Sequence, residues 1–453
     1  MTKTPRAWIP VALLVLLPQL WIFQGGGWNQ NSRFALARAL VTRGSLRIDA
    51  DAASTGDLAV RDGHVYSDKA PGVAFGAAAA LALAGPVAAA LGLEPDQPWW
   101  WRAVPYAVTL LTVSVPVALT AGALYEELAA LFGAAAALFA IGAVFLASPL
   151  LGYAGLLYGH ALAGCALALG FLALRRGAVE WAGLASGVAI LIELTAALGA
   201  VALFAYAASL PSLRPRLWRG LVAALPPLLL LAAYDAAAFG SPLSIGYANL
   251  PPAQFAGMGK GFFGVHLPRP QALWQLTFGV HRGLFRFSPV LLLAFAGARF
   301  LPRRDALLCL GLFAAFLLVN AGYIYWDGHA SFGPRHAVPG LVLLCVPIAA
   351  AARRWPKISL ALLLPSLAVC GIAWATRPEA SPLDWNPLQD SWLHFWRKDA
   401  IASSILWFNA KDALDYRSGF SLPMLAGLDG RASLLPLLPL AGGLLAWWRK
   451  ASR

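Results

Sequence analysis

The sequence predicts an all-α fold: a polytopic helical membrane protein with about 12–14 transmembrane helices. Three observations carry this. Of 453 residues, 59% are hydrophobic and only 12% are charged, where a soluble chain would carry about a quarter charged residues. Apolar runs repeatedly reach or approach the roughly 20 residues needed to cross a bilayer. Arginines and lysines gather in short clusters between those runs, which is the positive-inside pattern of membrane loops. The net charge of +13 therefore reads as loop asymmetry, and nucleic acid is not an expected partner. The chain divides into a membrane core at 1–240 and a C-terminal bundle at 241–453 with outer loops at 241–282, 325–336 and 376–432.

Lys3 and Arg6 precede the first apolar run, 8–24. No small-residue cleavage site follows Phe23, so this run reads as an uncleaved signal anchor with its start in the cytoplasm. The stretch from Asn29 to Gly72 then lies outside, and the rest of the chain is organised around it. It holds Asp49, Asp51, Asp57, Asp62 and Asp68 beside Arg33, Arg38, Arg43, Arg47, Arg61 and Lys69. Phe34, Leu36, Ala37, Leu40 and Val41 recur at helical spacing, which predicts a short amphipathic helix along the membrane surface.

Further apolar runs are expected at 71–92, 103–123, 129–147, 160–174, 181–208, 220–238, 283–300, 306–324, 337–352, 358–375 and 433–448. Arg175-Arg176, Arg214 to Arg219, Arg303-Arg304, Arg353 to Lys357 and Arg449 to Arg453 mark cytoplasmic turns. Both ends of 177–213 then want the cytoplasm, so 181–208 must be two short helices broken near Glu193-Leu194-Thr195. A polar break at membrane depth is tolerated only against protein or a water-filled cavity. Between Lys3 and Arg175 five runs appear, an odd number, so one of them is wrongly delimited. Cys165, Cys309, Cys345 and Cys370 all lie inside apolar runs and read as small buried hydrophobes.

The outer loops collect the polar residues. The glycines around Lys260 do not follow the order of a phosphate-binding loop, and flexibility is the plainer reading. His281, Arg282 and Arg286 stand where the chain re-enters the membrane, where an arginine either snorkels or binds a phosphate. Loop 325–336 offers Trp326, Asp327, His329, Arg335 and His336. The triplet Asp-Gly-His occurs at Asp62–His64 and again at Asp327–His329. Its residue types would suit a divalent metal, which stays possible; the spacing matches no metal motif, and turn chemistry explains it as well. No cofactor is required by the sequence. Loop 376–432 holds Trp385, Trp392, His394, Trp396, Arg397, Lys398, Asp399 and Trp407, which suit an aromatic belt or stacking on a sugar or lipid. Trp99 to Trp101 read as a belt anchor.

A carboxylate-rich and Arg/Lys-rich outer face on a helical bundle suits an anionic lipid substrate. Basic side chains would hold the phosphate, a carboxylate would act as general base on an acceptor hydroxyl, and helix grooves would take a polyprenyl tail.

The run Ser32-Arg33-Phe34-Ala35-Leu36-Ala37-Arg38-Ala39-Leu40, followed by Gly44, Asp62-Gly63 and Tyr66-Ser67-Asp68-Lys69-Ala70-Pro71, resembles the first periplasmic loop of the GT-C glycosyltransferases. Lipid A aminoarabinose transferases and protein O-mannosyltransferases are closest in pattern. Arg33-Phe34-Ala35 matches their Arg-Tyr-Ala, and Tyr66 to Pro71 matches their second segment. Leu157-Tyr158-Gly159-His160 is similar to a short turn of the family, the Glu193-Leu194-Thr195 break falls at a polar step, and Ser331-Phe332-Gly333-Pro334-Arg335 resembles a motif of a bacterial branch. The resemblance covers the chain in order to about residue 240 and is architectural beyond it. It implies a polyprenyl-phosphate-linked sugar donor, a multi-pass place in a bacterial inner membrane with the site on the outer face, and Lys69 on the donor phosphate.

One departure matters. The acidic pair that precedes the arginine in that family is Gln30-Asn31 here, and an amide cannot take a proton from a hydroxyl. The expected base moves to Asp57, Asp49 or Asp51; the other ways out are a different acceptor or an inactive protein. Expected substrate contacts are Arg33, Lys69, Tyr66, His64, Arg282, Asp327, His329 and Arg335, with Asp68 as an ion-pair partner of Lys69. The alternative function is a lipid or glycolipid transporter or binding protein, which would need the same basic site but no general base. A coupled transporter would also want mid-membrane carboxylates, and apart from Glu193 and Asp235 few are in view.

Overall fold

The protein is described from a computed structural model covering residues 6–95, 97, 100–251, 255–259, 261–329, 331–376, 420–421 and 430–452. Most of loop 376–432, with all its tryptophans, lies outside the described residues, as do Trp99 and Lys260.

Helices α1 (Trp8–Trp21), α2 (Trp28–Arg43) and α3 (Gly72–Ala90) open the chain. They are followed by α4 (Trp100–Thr109), α5 (Val115–Phe132), α6 (Ala134–Ile141), α7 (Leu150–Tyr153), α8 (His160–Arg175) and α9 (Val179–Ile192). Then come α10 (Ala197–Ala208), α11 (Leu217–Phe239), α12 (Pro270–Thr277), α13 (Leu284–Phe287) and α14 (Leu293–Ala298). Helices α15 (Arg303–Gly322), α16 (Cys345–Arg354), α17 (Pro356–Thr376) and a C-terminal helix, Leu437–Ala451, complete the bundle. Among the described residues, five segments are long and apolar enough to cross a membrane: Gly72–Ala90, Ala103–Phe132, Arg214–Phe239, Arg303–Gly322 and Pro356–Thr376. Shorter apolar helices pack between them. All four cysteines are buried and free.

Contacts define two ends of the bundle. At the basic end, Arg175 Nε donates to Glu127 Oε1 (2.6 Å) and Arg353 to the Leu131 carbonyl (3.3 Å). There Trp448 Nε1 also donates to Tyr125 Oη (2.8 Å). At the opposite end, Tyr106 Oη donates to the Leu20 carbonyl (2.9 Å), Gln24 to that of Thr376 (3.4 Å) and Trp21 to that of Ser433 (2.6 Å). Among the described residues, twelve segments run between these ends: α1, the α4–α5 pair, α6, α8, α9, α10, α11, Pro289–Ala298, α15, Arg335–Arg354, α17 and the C-terminal helix. The clusters near Arg175, Arg214, Arg303, Arg353 and Arg449 then all fall at one end, as positive-inside patterning requires.

The odd count resolves at α3. Helix α4–α5 runs antiparallel to α1, with Tyr106 beside Leu20 and Gly122 against Trp8. Trp100 and Trp101, at the start of α4, pack edge-on against Phe34 of α2, and Arg38 covers Trp101. Helix α3 therefore begins and ends on the side where α2 lies. Its apolar length mimics a crossing, but its role is to pack along α2 and α4.

The run 181–208 is broken as parity demands. Helix α9 stops at Ile192, Glu193 is extended (φ −151°, ψ 116°), and a 3-10 turn at Leu194–Ala196 starts α10. Helices α9 and α11 cross so closely at Gly183 and Gly220 that a Cβ on Gly183 would enter the Gly220 backbone.

Candidate functional site

The first outer loop folds from a two-residue turn. Asp62 (φ 51°) and Gly63 (φ 77°) occupy the left-handed region that tight hairpins require. They join β1 (Leu58–Arg61) to β2 (His64–Ser67) in the register Leu58↔Ser67. That register sets Asp57 and Asp68, one residue outside each strand, across from each other. Lys69 fills the gap, its Nζ 3.0 Å from Asp57 Oδ2 and 2.9 Å from Asp68 Oδ2. Ser32 and Ser67 share a hydrogen bond of 2.7 Å that fastens the hairpin to α2. The Tyr247 ring lies 5.5 Å from Lys69 Nζ.

These groups form one wall of a cavity of about 820 Å³. Glu193 and His160 continue the wall from the α9–α10 break and the start of α8, and Arg335 and His336 close it from loop 325–336. The rest of the lining is largely apolar and aromatic, with Met258, Phe263, Val265, Phe316, Val319 and Tyr323. Arg33 stands behind Glu193: its Nε donates to Asn29 Oδ1 (3.0 Å), one terminal nitrogen to the Ala70 carbonyl (3.3 Å), and the other lies 3.7 Å from Glu193 Oε2. Among the described residues Arg335 meets no carboxylate; it lies over the Tyr158 ring (5.9 Å) and reaches His336 Nε2 (3.4 Å).

Burial pushes the Asp68 carboxyl up to about 6; Lys69 opposes that shift, and Asp57 adds to it. Burial alone would depress the Lys69 ammonium. Asp57, and then Asp68, more than reverse this and hold it above the usual lysine range.

The sequence candidates separate cleanly. Asp57, Lys69, His329 and Arg335 border the cavity. Asp51 does not: it is buried between Arg38 and Arg43, an ion cluster that ties the end of α2 to the 3-10 turn at Asp49–Ser54. Asp49 caps the hairpin, accepting from Val65 N (2.6 Å) and facing His64 Nδ1 (3.1 Å). Its slight burial is outweighed by those contacts, so its carboxyl titrates below the ordinary range. His64 is thereby committed to Asp49, and Tyr66 packs against Phe239 (5.8 Å) in a small apolar core. Arg282 is fully buried and spends its donors on the carbonyls of Asp327 (2.6 Å), His329 (2.8 Å) and His281 (3.0 Å). It shapes loop 325–336 from behind, and Asp327 contributes its carbonyl to that scaffold.

The two Asp-Gly-His triplets are both turns, with Gly63 and Gly328 at positive φ. His64 faces Asp49 while His329 packs on Tyr325 (5.1 Å). Among the described residues no group of three or more His, Cys, Asp or Glu is placed to hold a metal ion. The amides at 30 and 31 also have structural work. Gln30 donates to the Gly26 carbonyl (2.6 Å) and accepts from Leu157 N (3.0 Å), and Asn31 donates to the Ser54 carbonyl (2.6 Å). A carboxylate could not make those donations.

Sequence reasoning assigned no role to His160, named only within the Leu157–His160 turn, or to His336, named only among the polar residues of loop 325–336, and it did not pair Asp57 with Asp68. The hairpin signal held the last of these: a two-residue turn at Asp62-Gly63 pairs 58 with 67 and so sets 57 opposite 68.

The fold and cavity together define a polytopic helical membrane protein with a charged cavity beneath the loop that joins α2 to α3. Among solved structures the chain is similar to ArnT from Cupriavidus metallidurans. It resembles the apo form (18% identity) and the form bound to undecaprenyl phosphate (17% identity), each with a TM-score of 0.51 over 98% of this chain and 76% of that one. No protein-family profile and no curated protein matches the sequence.

Proposed function

We propose that this protein is a membrane glycosyltransferase that moves a sugar from a polyprenyl-phosphate-linked donor to an acceptor hydroxyl on a lipid, glycan or protein. The observation that carries the reading is the cavity itself: Lys69 and Arg335, which meets no carboxylate among the described residues, share a chamber with the carboxylates Asp57, Asp68 and Glu193 and with a largely apolar lining. A phosphate fits the cations, and Arg335 supplies a planar fork for two of its oxygens. An isoprenoid chain fits the apolar lining, and the similarly folded ArnT bound to undecaprenyl phosphate supports a polyprenyl-phosphate partner. Of the three loop aspartates expected as base, Asp57 alone borders the cavity. Positive-inside patterning supports a cytoplasmic basic end, and with it a cavity on the outer, periplasmic face of a bacterial inner membrane.

In the reaction, Lys69 and Arg335 hold the donor phosphate and take up the charge that grows on it as the glycosidic bond breaks. A cavity carboxylate accepts the proton of the acceptor hydroxyl.

The test is transfer of radiolabelled sugar from polyprenyl-phosphate donors to a membrane extract by the purified protein in lipid nanodiscs, with Lys69→Ala as comparison. Transfer that Lys69→Ala removes supports the reading. Donor flipping without transfer supports a transporter instead, and undecaprenyl phosphate binding that Lys69→Ala leaves unchanged sinks the proposed phosphate site.

A further inference from the structure

We infer that Glu193 is the carboxylate that takes the acceptor's proton and that His160 relays it, an assignment that rests on the transferase reading above. Asp57 is poorly free for the task. Its Oδ2 is held by Lys69 at 3.0 Å, and Asp57 and Asp68 share that single ammonium. Glu193 differs. Its contact with Arg33 is long, 3.7 Å, and its Oε2 is buried without a hydrogen-bond partner among the described residues. Both ring nitrogens of the buried His160 are likewise unpartnered. His160 Nδ1 lies 3.3 Å from Glu193 Oε2, off the line of a hydrogen bond. An orphaned carboxylate oxygen beside an orphaned imidazole on a cavity wall calls for a ligand that completes both.

The backbone is arranged to present this pair. Glu193 is extended because α9 ends there, which projects the side chain out of the helix line. Gly159 leaves room for it, since a Cβ at that position would overlap Glu193 Oε2 and the Ile192 carbonyl. His160 is steadied by stacking on Tyr158 (5.7 Å, 17°) and by the edge of His336 (5.3 Å). The placement also bears on the amides at 30 and 31. The carboxylate that α2 lacks before Arg33 is supplied next to the Arg33 guanidinium from another part of the chain.

The step balances. The acceptor O–H proton passes to Glu193 Oε2, and the freed oxygen pair forms the bond to the anomeric carbon. The bond from that carbon to the phosphate oxygen breaks with its electrons left on phosphate, whose added charge faces Lys69 and Arg335. Glu193 then hands the proton to His160 Nδ1.

The experiment compares Glu193→Gln, Glu193→Asp, His160→Asn and Asp57→Asn with wild type in the nanodisc transfer assay. It measures kcat, its pH profile, undecaprenyl phosphate affinity and thermal stability. Glu193→Gln is expected to lose about 100-fold or more in kcat while lipid affinity stays within about threefold. Glu193→Asp is expected to keep a measurable rate, which controls for folding. The amide oxygen in Glu193→Gln can still face the Arg33 guanidinium, so a residue that merely orients Arg33 would leave kcat near wild type. His160→Asn is expected to move the acid limb of the profile, which Arg33, Lys69, Arg335 and His336 also bias through their charges. A Glu193→Gln variant within about threefold of wild-type kcat overturns the assignment, as does an abolished Asp57→Asn beside an active Glu193→Gln. An unmoved acid limb in His160→Asn overturns the relay. A wild type that transfers nothing overturns the transferase reading and this inference with it, whereas an active wild type with an active Glu193→Gln overturns this inference alone.

Discussion

Lys69 and Asp57 meet at 3.0 Å because a two-residue hairpin turn five residues beyond Asp57 folds the loop back on itself. Asp68 completes the group from the other strand end at 2.9 Å. One ammonium thus serves two carboxylates in a buried place, and removing it strands both.

Lys69→Ala is expected to cost about 3 kcal/mol of stability, the scale of breaking a buried ion pair from one side. The double variant with Asp57→Asn should recover part of that loss. Thermal unfolding of the single and double variants in one detergent checks this, and purely additive losses would contradict it.

Asp68 gives a pH dependence of definite sign. Its carboxyl titrates near 6 in the fold against 3.8 ordinarily. A folded-state value raised in this way adds stability that is fully present below about 3.8 and is lost as pH rises through about 6. Wild type should therefore lose stability relative to Asp68→Asn between about pH 4 and pH 6, and unfolding midpoints across that window measure it.

Asp51 separates structure from chemistry. Asp51→Ala leaves Arg38 and Arg43 without their shared carboxylate and is expected to cost about 1–3 kcal/mol. Undecaprenyl phosphate affinity of the folded fraction should stay within about twofold, because Asp51 does not border the cavity. A large affinity loss in a folded Asp51→Ala protein would place that cluster in the site after all.

Gly159→Ala tests the space beside Glu193. The added methyl overlaps Glu193 Oε2 and a carbonyl, so a cost of about 1–3 kcal/mol is expected. Gly85→Ala, where a Cβ meets nothing within 4 Å, serves as the comparison in the same melting assay.

Much of this was legible in the sequence, in ways that reflect how strongly each feature is constrained. The break at Glu193 follows from charge parity alone, since basic residues on both sides of an apolar run admit only an even number of crossings. That α2 is a helix follows from its periodicity, but not its setting: Asn29 to Ala37 are all buried, so its first half packs inside the protein on every face and is no amphipathic helix along the membrane surface. Lys69 and Arg335 stand out as charges next to apolar runs. Helix α3 misled because length and hydropathy do not record where a helix ends; Trp100 and Trp101 packing on α2 decides that. The three aspartates could not be told apart by composition, because a carboxylate looks the same in the sequence whether it caps a hairpin, as Asp49 does, binds two arginines, as Asp51 does, or lines a cavity, as Asp57 does. That His160 and His336 meet was hidden for a related reason: each adjoins an apolar segment, and only the fold brings their rings to 5.3 Å.

The order of the site's parts along the chain has a consequence for biogenesis. Asp57, Asp68 and Lys69 lie close together in the sequence and can neutralise one another as soon as the first loop has emerged. Arg33 must wait for Glu193, and the cavity gains Arg335 only after most of the bundle has been synthesised. A translation product arrested between residues 200 and 330 would thus carry the hairpin and its ion triad on one side of the membrane while its chamber still lacked a wall, and it would present that gap to the machinery that inspects incomplete membrane proteins.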